Sequence, residues 1–240
     1  MAKILCFIPA RGGSKGITNK NIRPFNGRPL LWYTVAEAKK SRYITRIVVS
    51  TESAKIAEVA RRSGAEIPCL RPRSLSQDAS KATDAVLHML TYLKKTEEYV
   101  PDYIILLQAT SPLRTTADID GAFSTMQRRK ADAIVSVCRT EQLLYIIDRR
   151  GRLQPVSPRA FLNSPNRQQL PPTYKLDGSM VYAIKTKVFL REKTFLAKNL
   201  VGYVIPRWRA VDLDEPEDFI VGETLYRNKK TIAKRIKDFK

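Results

Sequence analysis

Apolar and polar positions follow two rhythms that take turns along the chain. Unbroken, mostly apolar runs at residues 4–8, 46–50, 65–70, 103–107 and 133–137 read as strands buried on both faces of a sheet. Between them lie segments of helical period: one opened by Pro29, one at 53–63 closed by Gly64, one at 80–96 and one at 117–129. Strand and helix in strict alternation predict an α/β protein, a mostly parallel sheet flanked by helices in three layers.

After residue 138 the rhythm changes. Residues 144–147 and 153–156 flank Asp148-Arg149-Arg150-Gly151 and predict an antiparallel hairpin. Residues 157–175, rich in Pro, Asn and Gln, predict an extended loop, too long to be a mere connection. Strand signals return at 180–184 and 201–205, and Pro216 opens a last helix to about residue 227. No internal repeat interrupts this order, so 240 residues are expected to form one domain over 1–240, with an insertion at about 139–178.

Composition removes several function classes. No run approaches the roughly 20 apolar residues that span a bilayer, and Met-Ala-Lys-Ile-Leu leads straight into a strand, so a cytoplasmic location is expected. Cys6, Cys69 and Cys138 show no paired spacing and read as free thiols. His88, the single histidine, sits in a helical pattern, which argues against a Ser-His-Asp triad or a His-rich zinc site. A net charge of +20 raises nucleic acid as a partner. Its short, scattered basic runs lack interleaved aromatics for base stacking, which favours a solvated basic surface that attracts small anionic substrates.

Three clusters carry candidate chemistry. The first follows the opening strand: Ile8-Pro9-Ala10-Arg11-Gly12-Gly13-Ser14-Lys15-Gly16, with Lys20-Asn21 beyond it. Glycines free backbone N–H groups for an anion, and Arg11, Lys15 and Lys20 add charge, which points to the phosphates of a nucleotide. The spacing is neither a Walker A loop nor G-x-G-x-x-G. The second cluster, Gln108-Ala109-Thr110-Ser111-Pro112-Leu113-Arg114, ends another strand and should face the same crevice. Gln108 is a candidate for a sugar hydroxyl or phosphate; Thr110 and Ser111 can equally cap the next helix, and Arg114 is either a ligand or a surface charge.

The third cluster is Val211-Asp212-Leu213-Asp214-Glu215-Pro216. Asp212 and Asp214, alternating on a strand, would share a face and need a cation between them, for which Mg2+ shared with substrate phosphates is suited. Asp214 can also serve as N-cap of the helix begun by Pro216. Such a set suits phosphoryl or nucleotidyl transfer, which asks for positioning and charge neutralisation and little covalent work from side chains.

Taken together the clusters resemble the acylneuraminate cytidylyltransferase family, the CMP-sialic acid synthetases. Further matching pieces are Asn26-Gly27-Arg28-Pro29-Leu30, Val49-Ser50-Thr51, Leu70-Arg71-Pro72 and Arg167-Gln168-Gln169-Leu170-Pro171. The resemblance implies a Rossmann-like fold of the nucleotide-diphospho-sugar transferase type and CMP transfer from CTP to the anomeric hydroxyl of an acidic nine-carbon sugar, releasing pyrophosphate. It implies Arg11, Gly12, Lys15, Lys20, Asn21 and Arg71 at the nucleotide, Arg11, Lys20 and Asp212 in catalysis, Gln108, Arg167 and Asp177 on the sugar side, and Mg2+ on Asp212 and Asp214. It further implies a homodimer whose hairpin insertion reaches the partner's sugar site. Two departures fall on the sugar side: Glu141-Gln142-Leu143-Leu144-Tyr145-Ile146 lacks the family's Lys, and Asp177-Gly178-Ser179 stands where Asn-Gly-Ala is usual. Legionaminic, pseudaminic and other nonulosonic acids therefore stay open beside neuraminic acid. The rivals are a 3-deoxy-manno-octulosonate-type or other sugar nucleotidyltransferase, and a basic nucleic-acid-binding protein.

Overall fold

A computed structural model of the chain describes residues 2–13, 16–141, 143–157, 166, 170–176 and 180–239. Its main sheet runs, from one edge to the other, through residues 200–204, 133–140, 182–185, 103–106, 4–9 and 46–50, with 173–176 also paired to 133–140. These strands are β1 (Ile4–Pro9), β4 (Arg46–Ser50), β5 (Tyr103–Leu106), β6 (Ala133–Thr140), β9 (Thr173–Leu176), β10 (Tyr182–Lys185) and β11 (Leu200–Val204). Short pairs β2 (Pro24–Phe25) with β3 (Arg28–Pro29), and β7 (Tyr145–Ile147) with β8 (Leu153–Pro155), stand apart from it. β1 is parallel to β4 and β5, and β11 to β6, whereas β10 lies antiparallel between β5 and β6.

Burial on both faces explains the unbroken apolar runs. Along β1, Ile4, Cys6 and Ile8 pack into one cluster with Leu31 and Val35 of α1 (Leu30–Lys39), Ile56 of α2 (Ala54–Ser63) and Phe123 of α4 (Thr116–Arg128). Leu5 and Phe7 point the other way, to Met89 and Leu93 of α3 (Ala82–Glu97) and Phe189 of α5 (Thr186–Glu192). A third cluster joins Ile17, Phe25, Leu30, Tyr33, Leu213 and Phe219 of α6 (Pro216–Asp238). It fastens the loop after β1 to the segment bearing Asp212 and Asp214.

Several expectations need correction. Residues 65–70 form no strand: Glu66 makes one parallel bridge with Val48, and Pro68, which has no N–H to donate, follows as the chain leaves the sheet edge. Residues 211–214 carry no regular secondary structure, so Asp212 and Asp214 do not lie on a strand. The expected loop at 157–175 contains β9 in part, while 158–165 and 167–169 fall outside the described residues. α5 was not expected, and α6 continues past residue 227 to Asp238. The hairpin forms as read. Gly64 closes α2 at φ 94°, where a side chain would be strained.

Arg114 is neither a surface charge nor exposed to a ligand; it is 2% exposed. Its guanidinium donates to the carbonyl of Met180, to Thr34 Oγ1 at 2.9 Å and to the carbonyl of Gln108 at 2.5 Å. Arg114→Met should leave these buried acceptors short of donors and cost about 3 kcal/mol, read as a lower denaturant midpoint at unchanged slope. An unchanged midpoint would show that water or a neighbour replaces the guanidinium.

Candidate functional site

The carboxyl ends of β1 and β5 open on a cavity of about 510 Å³ walled by Arg11, Lys20, Asn21, Arg71, Gln108 and Asp214, among others. That volume suits a substrate-sized ligand, at the place where α/β sheets present their loops. Arg11 pairs with Asp78 Oδ1 at 2.9 Å across the opening. Asn21, buried, donates from Nδ2 to the carbonyl of Arg11 at 2.9 Å and so folds the loop back on its own start. Asn19 adopts φ 55°, a left-handed conformation that Asn tolerates, and the short 3-10 turn Lys20–Ile22 follows. Lys20 Nζ thereby reaches Asp214 Oδ1 at 2.6 Å, joining the first cluster to the third.

Leu213 fixes the third cluster. Fully buried between Ile17 and Phe219, it donates its N–H to the carbonyl of Thr110 at 3.0 Å, and the flanking aspartates are held in place by it. Glu215, not Asp214, is the N-cap of α6; Asp218 closes the capping box and also accepts the Asp214 N–H at 3.0 Å. Likewise Thr115, in a box with Asp118, caps α4, so neither Thr110 nor Ser111 does. Asp214 is exposed on the cavity wall, while Asp212 lies behind it beside Thr110. Burial, with the charges of Asp214 and Asp218, pushes the Asp212 carboxyl up to about 6 against the lowering pull of Thr110 and Lys20. Asp212 Oδ1 and Thr110 Oγ1 are both buried, and neither has a hydrogen-bond partner among the described residues. An orphaned carboxylate oxygen next to a second carboxylate is a donor set that fits a hard, oxygen-seeking cation.

Arg71 is buried, its backbone N–H held by the Thr51 carbonyl at 2.8 Å and its Nε by Ser76 Oγ at 2.9 Å. Gln108 reaches the cavity wall with its carbonyl engaged by Thr34 and Arg114. Gly12 lies outside that wall, lining a neighbouring depression, and its N–H donates to Glu52 Oε1 at 2.7 Å. Lys15, Arg167 and Asp177 lie outside the described residues. The structure thus brings Arg11, Lys20, Asn21, Arg71, Gln108 and Asp214 to one cavity. It adds Asp78 and Glu52, which the motifs passed over; Glu52 follows the Val49-Ser50-Thr51 match directly and was legible only by position.

Residues 5–195 match the family model described as cytidylyltransferase, which places the chain among the nucleotidyltransferases. The chain belongs to the cytidylyltransferase family. It is 33% identical to a CMP-N,N'-diacetyllegionaminic acid synthase of Legionella pneumophila subsp. pneumophila, covering 93% of this chain and 96% of that one. It is 32% identical to the post-translational flagellin modification protein B of Campylobacter coli, over 98% and 99% of the two chains. An N-acylneuraminate cytidylyltransferase of Escherichia coli is 30% identical over 95% of this chain and 53% of its own length. Among solved structures, a CMP:2-keto-3-deoxy-manno-octonic acid synthetase complexed with CTP superposes with a TM-score of 0.68 at 15% identity, covering 95% and 100% of the two chains. That likeness shows the shared fold: a mostly parallel α/β sheet of the Rossmann-like kind.

Gly16 gives this site a sharp test. A Cβ there would stand 2.6 Å from the backbone carbonyl of Asp214, too close to be absorbed by a side-chain movement. Gly16→Ala should push the loop away from Asp214, break the Lys20 pair and lower kcat/KM by about 100-fold, roughly 3 kcal/mol of lost positioning, with little change in far-ultraviolet dichroism. Wild-type kinetics in this variant would show that the loop need not touch Asp214 during turnover.

Proposed function

We propose that this chain transfers CMP from CTP to the anomeric hydroxyl of an acidic nonulosonic sugar and releases pyrophosphate. The observation that carries the reading is the 2.6 Å contact between Lys20 and Asp214, because it sets a phosphate-loop cation and a carboxylate against each other at one cavity. Family membership supplies the nucleotide class. The names of the relatives supply the sugar class, among them a CMP-N,N'-diacetyllegionaminic acid synthase and a pseudaminic acid cytidylyltransferase.

In this reading Arg11 and Lys20 exchange their carboxylate partners for triphosphate oxygens, with Lys15 joining from the same loop, while Gly12 keeps its N–H on Glu52. Asn21 keeps the loop in shape, and Arg71 lies on the base side. Gln108, Arg167 and Asp177 face the sugar. The sugar's anomeric oxygen bonds to the α-phosphorus as the bond to the bridging oxygen breaks, and pyrophosphate leaves with that electron pair. Asp212 would help position or deprotonate the anomeric hydroxyl, the part in catalysis that the family resemblance implies for it. Asp212 and Asp214 would hold Mg2+, which neutralises charge on the phosphates when bound.

The deciding experiment follows pyrophosphate release with CTP, Mg2+ and a panel of N-acetylneuraminate, legionaminate, pseudaminate, 3-deoxy-manno-octulosonate or no sugar, with ATP, GTP and UTP as controls. Release that requires CTP and one nonulosonic acid is expected; release with the octulosonate alone would replace the sugar class. Asp214→Asn should fold normally and lose at least about 100-fold in turnover, with a higher Mg2+ requirement. Lys20→Ala should raise the KM for CTP more than that for the sugar; the opposite split would move Lys20 to the other side of the cavity.

The proposal includes a homodimer over one domain. Ile147 and Leu153, paired across β7 and β8, stand exposed on one face of the hairpin, an apolar surface that a second copy would cover. Sedimentation of the wild type should give a dimer and Ile147→Glu a monomer; a monomeric wild type would reject this part.

A further inference from the structure

Glu52 stands just past the carboxyl end of β4, with a side chain only 16% exposed. Its two oxygens serve different partners. Oε1 accepts the Gly12 N–H at 2.7 Å, and Oε2 accepts from Arg71 Nη2 at 3.2 Å. Burial works to raise its carboxyl, but hydrogen bonds from the Gly12 N–H, its own backbone, Arg71 and Ser76 outweigh that and hold it below the usual range, so Glu52 is ionised at neutral pH. Arg71 walls the cavity of about 510 Å³, whereas Glu52 does not; the carboxylate grips the guanidinium from behind. The residue it grips on its other side directly follows Arg11, which also walls the cavity.

We propose that Glu52 is a positioning residue for the nucleotide: it ties Arg71 to the loop carrying Arg11 and so fixes the separation between the base side and the phosphate side of the cavity. This rests on the CTP reading above. A carboxylate is required chemically, because both partners are donors. Gln would accept from one and turn its own NH₂ against the other, and Asp, one methylene shorter, reaches one partner only.

The test is calorimetric titration of the wild type, Glu52→Gln, Glu52→Asp, Arg71→Lys and the Gln/Lys double variant with CTP and with inorganic triphosphate. Glu52→Gln should weaken CTP about tenfold, the scale of one charge-assisted hydrogen bond, and inorganic triphosphate less than about threefold, since the latter has no base to be placed. The double variant should bind CTP little worse than its weaker single variant, because Glu52 acts through Arg71. Additive losses, unaltered CTP binding, or equal losses for both ligands would overturn the proposal. A lower melting temperature with an unchanged ratio of the two affinities would do so too, as it would show a merely structural role. If Glu52→Gln does not fold, Glu52→Asp carries the comparison with the same expected order. A wild type that ignores CTP would sink the function proposed above, and this inference with it; a wild type that binds CTP beside indifferent Glu52 variants would sink this inference alone.

Discussion

A single buried guanidinium holds together the parts that any account of this protein must explain. Where β5 stops, the chain leaves the sheet through Gln108, and where it enters β10 it passes Met180; both carbonyls lie in the interior and must find donors. Arg114 supplies them from one planar fork and uses a third N–H on Thr34 of α1. A lysine, with a point charge, could not span three segments in this way. The sheet can therefore take an antiparallel strand between β5 and β6 and still keep Gln108 at the cavity wall.

How much of this was legible depends on what each residue type reveals alone. The alternation of Ile4, Cys6 and Ile8 with Leu5 and Phe7 feeds two helical layers, and a run apolar at every position announces that arrangement. Gly64 and Pro216 mark a helix end and a helix start for local reasons and were read correctly. Direction was not legible: Tyr182–Lys185 has the same pattern whether it runs parallel or antiparallel. The segment 65–70 shows the limit of apolarity as a signal, since Pro68 removes a donor and only Glu66 meets β4. The last helix was undercounted because Arg227–Asp238 continues on helix propensity with little buried face, which a search for apolar period does not see.

The candidate site was half legible for a related reason. Clusters at strand ends declared Arg11, Lys20, Gln108 and Asp214, because loops after parallel strands converge. What they could not declare is which charge meets which. Asp212-Leu213-Asp214 read as alternation on a strand, but the physical device is Leu213, a buried anchor that seats an irregular segment against Ile17 and Phe219. Asp214 also lost its expected capping duty to Glu215, which leaves its carboxylate on the cavity wall. Glu52 and Asp78, lone acids without a motif, became meaningful only when distances joined them to Arg71 and Arg11.

Those joins explain how a chain of net charge +20 can keep a cationic cavity stable. Arg11 faces Asp78, Lys20 faces Asp214 and Arg71 faces Glu52, so three of the wall's four described cations, all but Lys81, have a carboxylate within 3.2 Å. A cation half out of water without a counter-charge is unfavourable, and pairing removes that cost before any ligand arrives. The three pairs are not equivalent. Arg11 with Asp78 and Lys20 with Asp214 sit on the cavity wall, with one partner of each at least half exposed, and such pairs are weak and screened by salt. Arg71 is buried and Glu52 mostly so, and the pair is hydrogen-bonded to the Gly12 backbone and Ser76, which makes it costly to break. An entering anion therefore meets two exchangeable ion-paired cations, Lys81 and one fixed guanidinium. That asymmetry suits a ligand whose highly charged end must later depart while its opposite end is held, as the pyrophosphate and cytidine ends of CTP do in the proposed reaction.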